Sequence, residues 1–448
     1  MNSQYSKLKN AYGMKKIVEK FTMNDDLLVT KESSELIKKS SEYIPKYEEI
    51  NKIDLTNFIF KDFYNYFKES YFYVKDNFDI KTNLKCSEIT NKNEVPIPSE
   101  NDLSYIDEFF QNIIYTSLKN SYSCSFVSPF GNGRTINMYF SSSEKQEKIV
   151  TYIERMLVWI YIISKYTQNT NCSKILNIYI YLTDPKKILP ENEEIIGKNN
   201  VNTGFTTSCS INSNIVIYRK EEWFKVFIHE TIHNFGLDFS QMDNTNTKNY
   251  ILNIFPISSK VKLYETYTDF WARTVNCMFC SFYGLVNKNI INDEELFIKN
   301  TYKLIDEERK FSYIQVAKIL NFMKLDYKDL YTKDFESELK RFLFYKENTS
   351  VFAYYILCCV LFNKFNDFID WCYDNNVEKG KQKILLQFNK TKHNQDEFCK
   401  YIESNHNDKS LNVLSEIDDK LKNDKKNGKV KSSEIFYLTL KKSVIAFD

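Results

Sequence analysis

Apolar residues along this chain of 448 recur mostly at steps of three and four, the repeat of a helix face. Residues 27–44 and 59–72 follow that step, which makes 1–118 a helical N-terminal cap or interaction region. Residues 91–102, with Pro96 and Pro98, read as a connector. Beyond Ser121 the step shortens to two. Residues 123–127 and 135–140 predict paired strands, and Asn132-Gly133 between them suits a tight hairpin turn. A helix is predicted over 144–166, with Ile149, Ile153, Leu157 and Ile160 as its apolar stripe. Ser143 and Gln146 have the spacing of a capping box. Residues 175–182, 205–210 and 215–218 predict three more strands, and an apolar helical run follows from Trp223 to a stop at Gly236. After a polar loop at 241–249 comes a long helix over 261–283, then helix after helix to about 404, among them 335–345 and 352–366. Residues 407–433 are charged and poor in apolar side chains, as in a mobile linker or an exposed helix, and 434–448 read as a segment that docks.

The fold class predicted is α+β. It has a small mixed sheet backed by helices over 119–250, a mostly helical part over 251–406, the helical N-terminal part, and a charged C-terminal stretch over 407–448. Composition changes this little. Scarce Gly (9) and Pro (7) favour long helices. A net charge of +2 gives no global case for nucleic acid or membrane as a partner. The ten cysteines are scattered, and Cys277 with Cys280 falls in an apolar helical run where core packing explains both, so a reduced, intracellular chain is expected. No signal peptide is visible at the N-terminus, and the longest apolar run, 351–362, is too short to cross a bilayer.

The candidate chemistry lies in residues 225–240, which hold His229, Glu230 and His233 in the order H-E-x-x-H. The chain has 4 His, and two of them stand here one helical turn apart, so both imidazoles can reach one zinc ion. Glu230 follows the first of them, placed to take a proton from water as general base. A catalytic zinc needs a third protein ligand and one open position. His393 and His406 lie far along the chain in polar contexts. Glu265 is the better candidate, on one helical face with Asp269, which can hold a ligating histidine through its other nitrogen. Asp238 is the alternative ligand, close after Gly236. An exposed strand ahead of the motif helix, residues 205–210, could hold an extended peptide by strand addition.

His229-Glu230-x-x-His233 with Glu265-x-x-x-Asp269 resembles the gluzincin pattern of thermolysin-like zinc metallopeptidases. The resemblance covers residues 121–283. It implies a zincin-like core with a cleft above a helical lower subdomain, His229, His233 and Glu265 as zinc ligands, Glu230 as catalytic acid and base, Asp269 behind a ligating histidine, and a protein or peptide substrate. Tyr264 stands where the thermolysin branch carries an asparagine, and no residue is placed as the one that steadies the oxyanion; Tyr267 could donate there, as one of 32 tyrosines. The residue bias also resembles uncharacterised peptidase-like proteins of large DNA viruses, which implies an intracellular protein that can be packaged in a virion. The rival expectation is a catalytically inactive structural or interaction protein on the same scaffold.

Overall fold

The computed structural model describes residues 21–446 except 25–26, 45–49, 51–53, 129–132, 168–170, 192–193, 380–381 and 428–433. The fold is α+β. One sheet has six strands: β1 (Lys85–Glu88), β2 (Asn120–Ser128), β3 (Arg134–Ser142), β4 (Ile175–Tyr181), β5 (Gly204–Thr206) and β6 (Asn212–Ile217). They lie in the order β1-β2-β3-β4-β6-β5. β1, β2 and β3 are antiparallel, β3, β4 and β6 are parallel, and β5 closes one edge antiparallel to β6.

Alternation assigns the faces. Ile136, Met138 and Phe140 of β3 pair with Leu176, Ile178 and Ile180 of β4, and Ile178 with Ile215 of β6; all are fully buried. They join one continuous core with the long helices α1 (Asp54–Asn77), α2 (Gln146–Tyr166), α3 (Trp223–Asn234), α4 (Leu263–Lys288) and α5 (Glu294–Phe322). Trp159 on α2 donates its indole N–H to the Thr231 hydroxyl on α3 at 2.6 Å. On the other face, helix Glu108–Ser117 sets Phe110 and Ile114 against Tyr181, Val216 and Tyr218. The predicted strand pair and the 144–166 helix are present, and the run after 292 is helical except that Glu378–Lys379 pairs with Gln382–Lys383 and the helix predicted over 352–366 breaks at Lys364. Among the described residues no single helix is long and apolar enough to cross a membrane.

Several expectations are corrected. Residues 27–44 are not one helix: Leu27–Thr30 pairs as a strand with Phe21–Asn24, and Thr30 caps a helix over Lys31–Tyr43. The N-terminal part also gives the sheet its edge strand β1, four exposed residues with no apolar alternation to reveal them. Ser143 does not cap α2, which starts at Gln146 after Lys145, and its hydroxyl donates to Ser117 O instead. The strand predicted over 205–210 is β5, which ends at Thr206. Of the predicted hairpin turn, Asn132 lies outside the described residues; Gly133 has a φ of +79°. Within the stretch predicted as a linker or exposed helix, Val413–Lys426 is a helix with Leu414, Ile417 and Leu421 buried and the opposite face solvated, and 428–433 lie outside the described residues.

The C-terminal segment runs through the core, with Leu440, Val444 and Ile445 buried. Glu222, at the start of α3, accepts the Lys442 and Ser443 N–H groups at 3.1 and 2.8 Å, and Glu308 accepts that of Ile445 at 2.9 Å.

The expectation of fully reduced cysteines fails at one pair. Cys172 and Cys209, 37 residues apart, form a disulfide, while Cys277 and Cys280 are unbonded and buried as core packing predicts. The two half-cystines stand three residues before Ile175 and Asn212, which pair across β4 and β6, so strand register brings them together. Closing a loop of that length removes denatured-chain entropy equivalent to about 3–4 kcal/mol. Cys209→Ala is expected to lower the denaturant midpoint accordingly, and a reducing agent should give the same shift in wild type and none in the variant.

Candidate metal centre

α3 carries the motif and its termini explain its position. At the C-terminal end Gly236 has a φ of +66° and donates its N–H to His233 O at 3.0 Å, while Leu237 N–H reaches Ile232 O at 2.9 Å. These two bonds form a Schellman cap, which favours glycine at the left-handed position. A Cβ there would stand 3.2 Å from the Cβ of Cys209, so the disulfide loop seats against the end of the helix. At the N-terminal end Glu222 sits at a φ of +59° and makes no side-chain cap. Its carboxylate turns to the Lys187 ammonium at 2.6 Å and to the C-terminal segment.

One turn apart on α3, His229 and His233 present their Nε2 atoms to each other at 3.1 Å. α4 brings Glu265 in from the side. Its Oε2 lies 3.1 Å from His229 Nε2 and 3.3 Å from His233 Nε2. Ligands about 2.0–2.1 Å from a tetrahedral ion stand about 3.3 Å from one another. Two imidazole nitrogens and one carboxylate oxygen at these separations fit a small divalent cation in donor type as well as spacing.

A carboxylate faces the far side of each ring, and only that of His233 is hydrogen-bonded to it. Asp238 Oδ2 is 2.6 Å from Nδ1 of His233. Asp269 Oδ1 is 3.5 Å from Nδ1 of His229 and accepts a 2.7 Å bond from the Lys225 ammonium. Asp269 thus faces the His229 ring without a hydrogen bond to it, short of the contact expected from its spacing. Asp238, the alternative ligand, stands outside the donor cluster and contacts Nδ1 of His233, the ring nitrogen that points away from it.

The charges follow from burial and pairing. Burial opposes ionisation of Glu265, but the charge of His233 and hydrogen bonds from both imidazoles outweigh it and hold the carboxyl well below the ordinary range. Burial also opposes the charged form of His233, and the Asp238 and Glu265 carboxylates overcome it, raising that imidazole well above its usual value. Burial raises the Glu230 carboxyl above an ordinary glutamate against the pull of both imidazoles.

Glu230 takes no hydrogen bond from the described residues and lines a cleft of 620 Å³ together with His229, His233 and Glu265. β5 lines the same cleft, and among the described residues its outer edge carries no strand. Tyr264 lies there too, its ring 6.1 Å from that of His233.

One cleft residue was not anticipated. Tyr354 donates its hydroxyl to Glu265 Oε2 at 3.1 Å. Burial and the Glu265 charge keep the phenol protonated. Tyr354 sits in a π-helical turn, Phe352–Leu357, and such turns are frequent at functional sites. The Lys442 ammonium lies 3.1 Å from the centre of its ring. Tyr267, the donor suggested from sequence, is fully buried outside the cleft and donates to Leu386 O at 3.1 Å. His406 packs its ring on Phe255 and Tyr331, away from the cluster.

Comparison with family models, curated proteins and solved structures finds no match to this chain.

Proposed function

We propose that this chain is a zinc-dependent peptidase on a zincin-like core. The observation that carries this is the joint arrangement at the cleft: three converging donors, a carboxylate beside them that takes no hydrogen bond from the described residues, and a strand edge along the same wall that none of the described strands pairs. His229, His233 and Glu265 would hold the ion, and Asp238 and Asp269 would fix the two imidazoles. Bound there, zinc supplies a Lewis acid for the scissile carbonyl and lowers the pKa of water to about 7. The outer edge of β5 would align an extended peptide by main-chain hydrogen bonds. Glu230 would take the proton from water and pass it to the leaving amine nitrogen. The Tyr354 hydroxyl would turn from Glu265 to donate to the carbonyl oxygen as negative charge builds there.

Zinc analysis of the purified protein, then a peptide-library digest with and without chelator, tests this. Cleavage that chelator stops and zinc restores is expected. Bound metal with no chelator-sensitive cleavage would instead favour the non-catalytic scaffold. Tyr354→Phe is expected to keep its zinc and lose about 10²-fold in kcat, with KM little changed, the loss typical of one oxyanion donor. An unchanged kcat would remove Tyr354 from the chemistry.

A further inference from the structure

The cleft has a charge pattern that the reaction does not need. Three lysines, Lys198, Lys260 and Lys262, line it, and all are solvent-exposed. None makes an ion pair among the described residues. The acids lining it are already committed. Glu265 belongs to the donor cluster, Glu230 is the proposed base, and Glu347 accepts from the Ser259 hydroxyl and, at 2.8 Å, from Phe352 N–H.

Two of the lysines are held by a built turn. Val261 lies between Lys260 and Lys262 at a φ of +30°, a left-handed conformation that β-branched residues avoid, and its own side chain is buried. The Ser259 hydroxyl accepts the Val261 N–H at 3.1 Å, and Lys262 O accepts that of Glu265 at 3.0 Å, at the head of the helix that carries the acid of the donor cluster. Strain of this kind persists where the surroundings over-determine it. Burying the valine turns the lysines on either side of it to the cleft. Lys198 stands just ahead of β5, the strand edge proposed to receive the peptide. Most remaining side chains of the lining are polar, among them Asn202, Thr206, Ser208, Ser240 and Asn348, with few apolar ones besides Phe205 and Ala353.

We infer that the cleft selects acidic peptide segments, with aspartate or glutamate flanking the bond that is cut; this rests on the peptidase reading. The chain as a whole is near neutral at +2, so the preference is local to the cleft.

The test uses one peptide scaffold in three forms, with Asp and Glu, Asn and Gln, or Lys at the flanking positions. The zinc-loaded protein is expected to cleave the acidic form with kcat/KM about tenfold above the basic one, the gain shrinking as salt rises. Lys260→Glu with Lys262→Glu should reverse the order, chiefly through KM. Binding of the same labelled peptides to Glu230→Gln protein, read by fluorescence anisotropy, is a second measurement independent of turnover. Acidic peptides bound tightly and salt-sensitively, with no form cleaved, would sustain the selection of acidic segments by the cleft and sink the peptidase. Equal binding and equal cleavage of all three forms would sink this inference and leave the peptidase standing.

Discussion

Glu230→Gln is expected to abolish peptide hydrolysis while leaving the zinc content unchanged. The substitution keeps the shape of the side chain and removes only the base. Glu230 lies outside the donor cluster, so no ligand is lost. It takes no hydrogen bond from the described residues, so the fold loses none either. General-base catalysis contributes about 10²–10⁴ in rate, and a fall in kcat of that size or greater is expected. Stability should move the other way. The carboxyl is raised by burial, so the folded state binds its proton more tightly than the unfolded chain, and ionisation above that pKa works against folding. Glutamine removes this penalty at neutral pH, and in the metal-free protein the melting temperature of the variant should equal or exceed that of wild type. The pH profile carries the same sign. Only the ionised carboxylate can accept a proton, so wild-type kcat/KM should fall as pH falls. A variant that melts normally, holds one zinc and still turns over at the wild-type rate would eliminate Glu230 as the base.

What could be read from the residues divides by distance along the chain. His229, Glu230 and His233 were legible because one turn of helix fixes their relation, and Glu265 with Asp269 because the same spacing recurs in an apolar run. The distance between the two groups carried no such constraint; the fold closes it by packing α4 on α3. Asp238 shows where spacing fails. Five residues from His233, it could reach either side of that imidazole, and only the capped turn at Gly236 sets it behind Nδ1. Tyr354 had no local signature, since a tyrosine in an apolar run looks like core until Glu265 arrives beside it. The Cys172–Cys209 bond and the strand at Leu27–Thr30 depend on partners that local periodicity does not see. Glu222 stands at the start of α3, where an acid suits the helix dipole, yet its side chain serves Lys187 and the C-terminal segment.

Glu265→Ala is expected to lower zinc content from one per chain to near zero, a larger effect on the metal than any other single carboxylate should have. Glu265 Oε2 is the point at which both Nε2 atoms and the Tyr354 hydroxyl meet. Removing it leaves two imidazoles and no anion in the cluster, below the three protein ligands a catalytic zinc site requires. The Asp238→Asn variant separates a ligand from a residue that orients one. An asparagine can still accept the Nδ1–H of His233, so metal should stay bound with affinity lowered by about 10–100-fold. Proton release gives an independent check. In the metal-free protein His233 is held well above the usual imidazole value by Asp238 and Glu265, against burial, and a ligating imidazole must give up the proton on Nε2. Zinc uptake by wild type should therefore release protons, and apparent affinity should fall as pH falls. Calorimetric titration in buffers of different ionisation enthalpy measures both. Full zinc occupancy in Glu265→Ala, with loss of zinc in Asp238→Asn, would exchange the roles of the two carboxylates, and the cluster read here as the ligand set would be the wrong one.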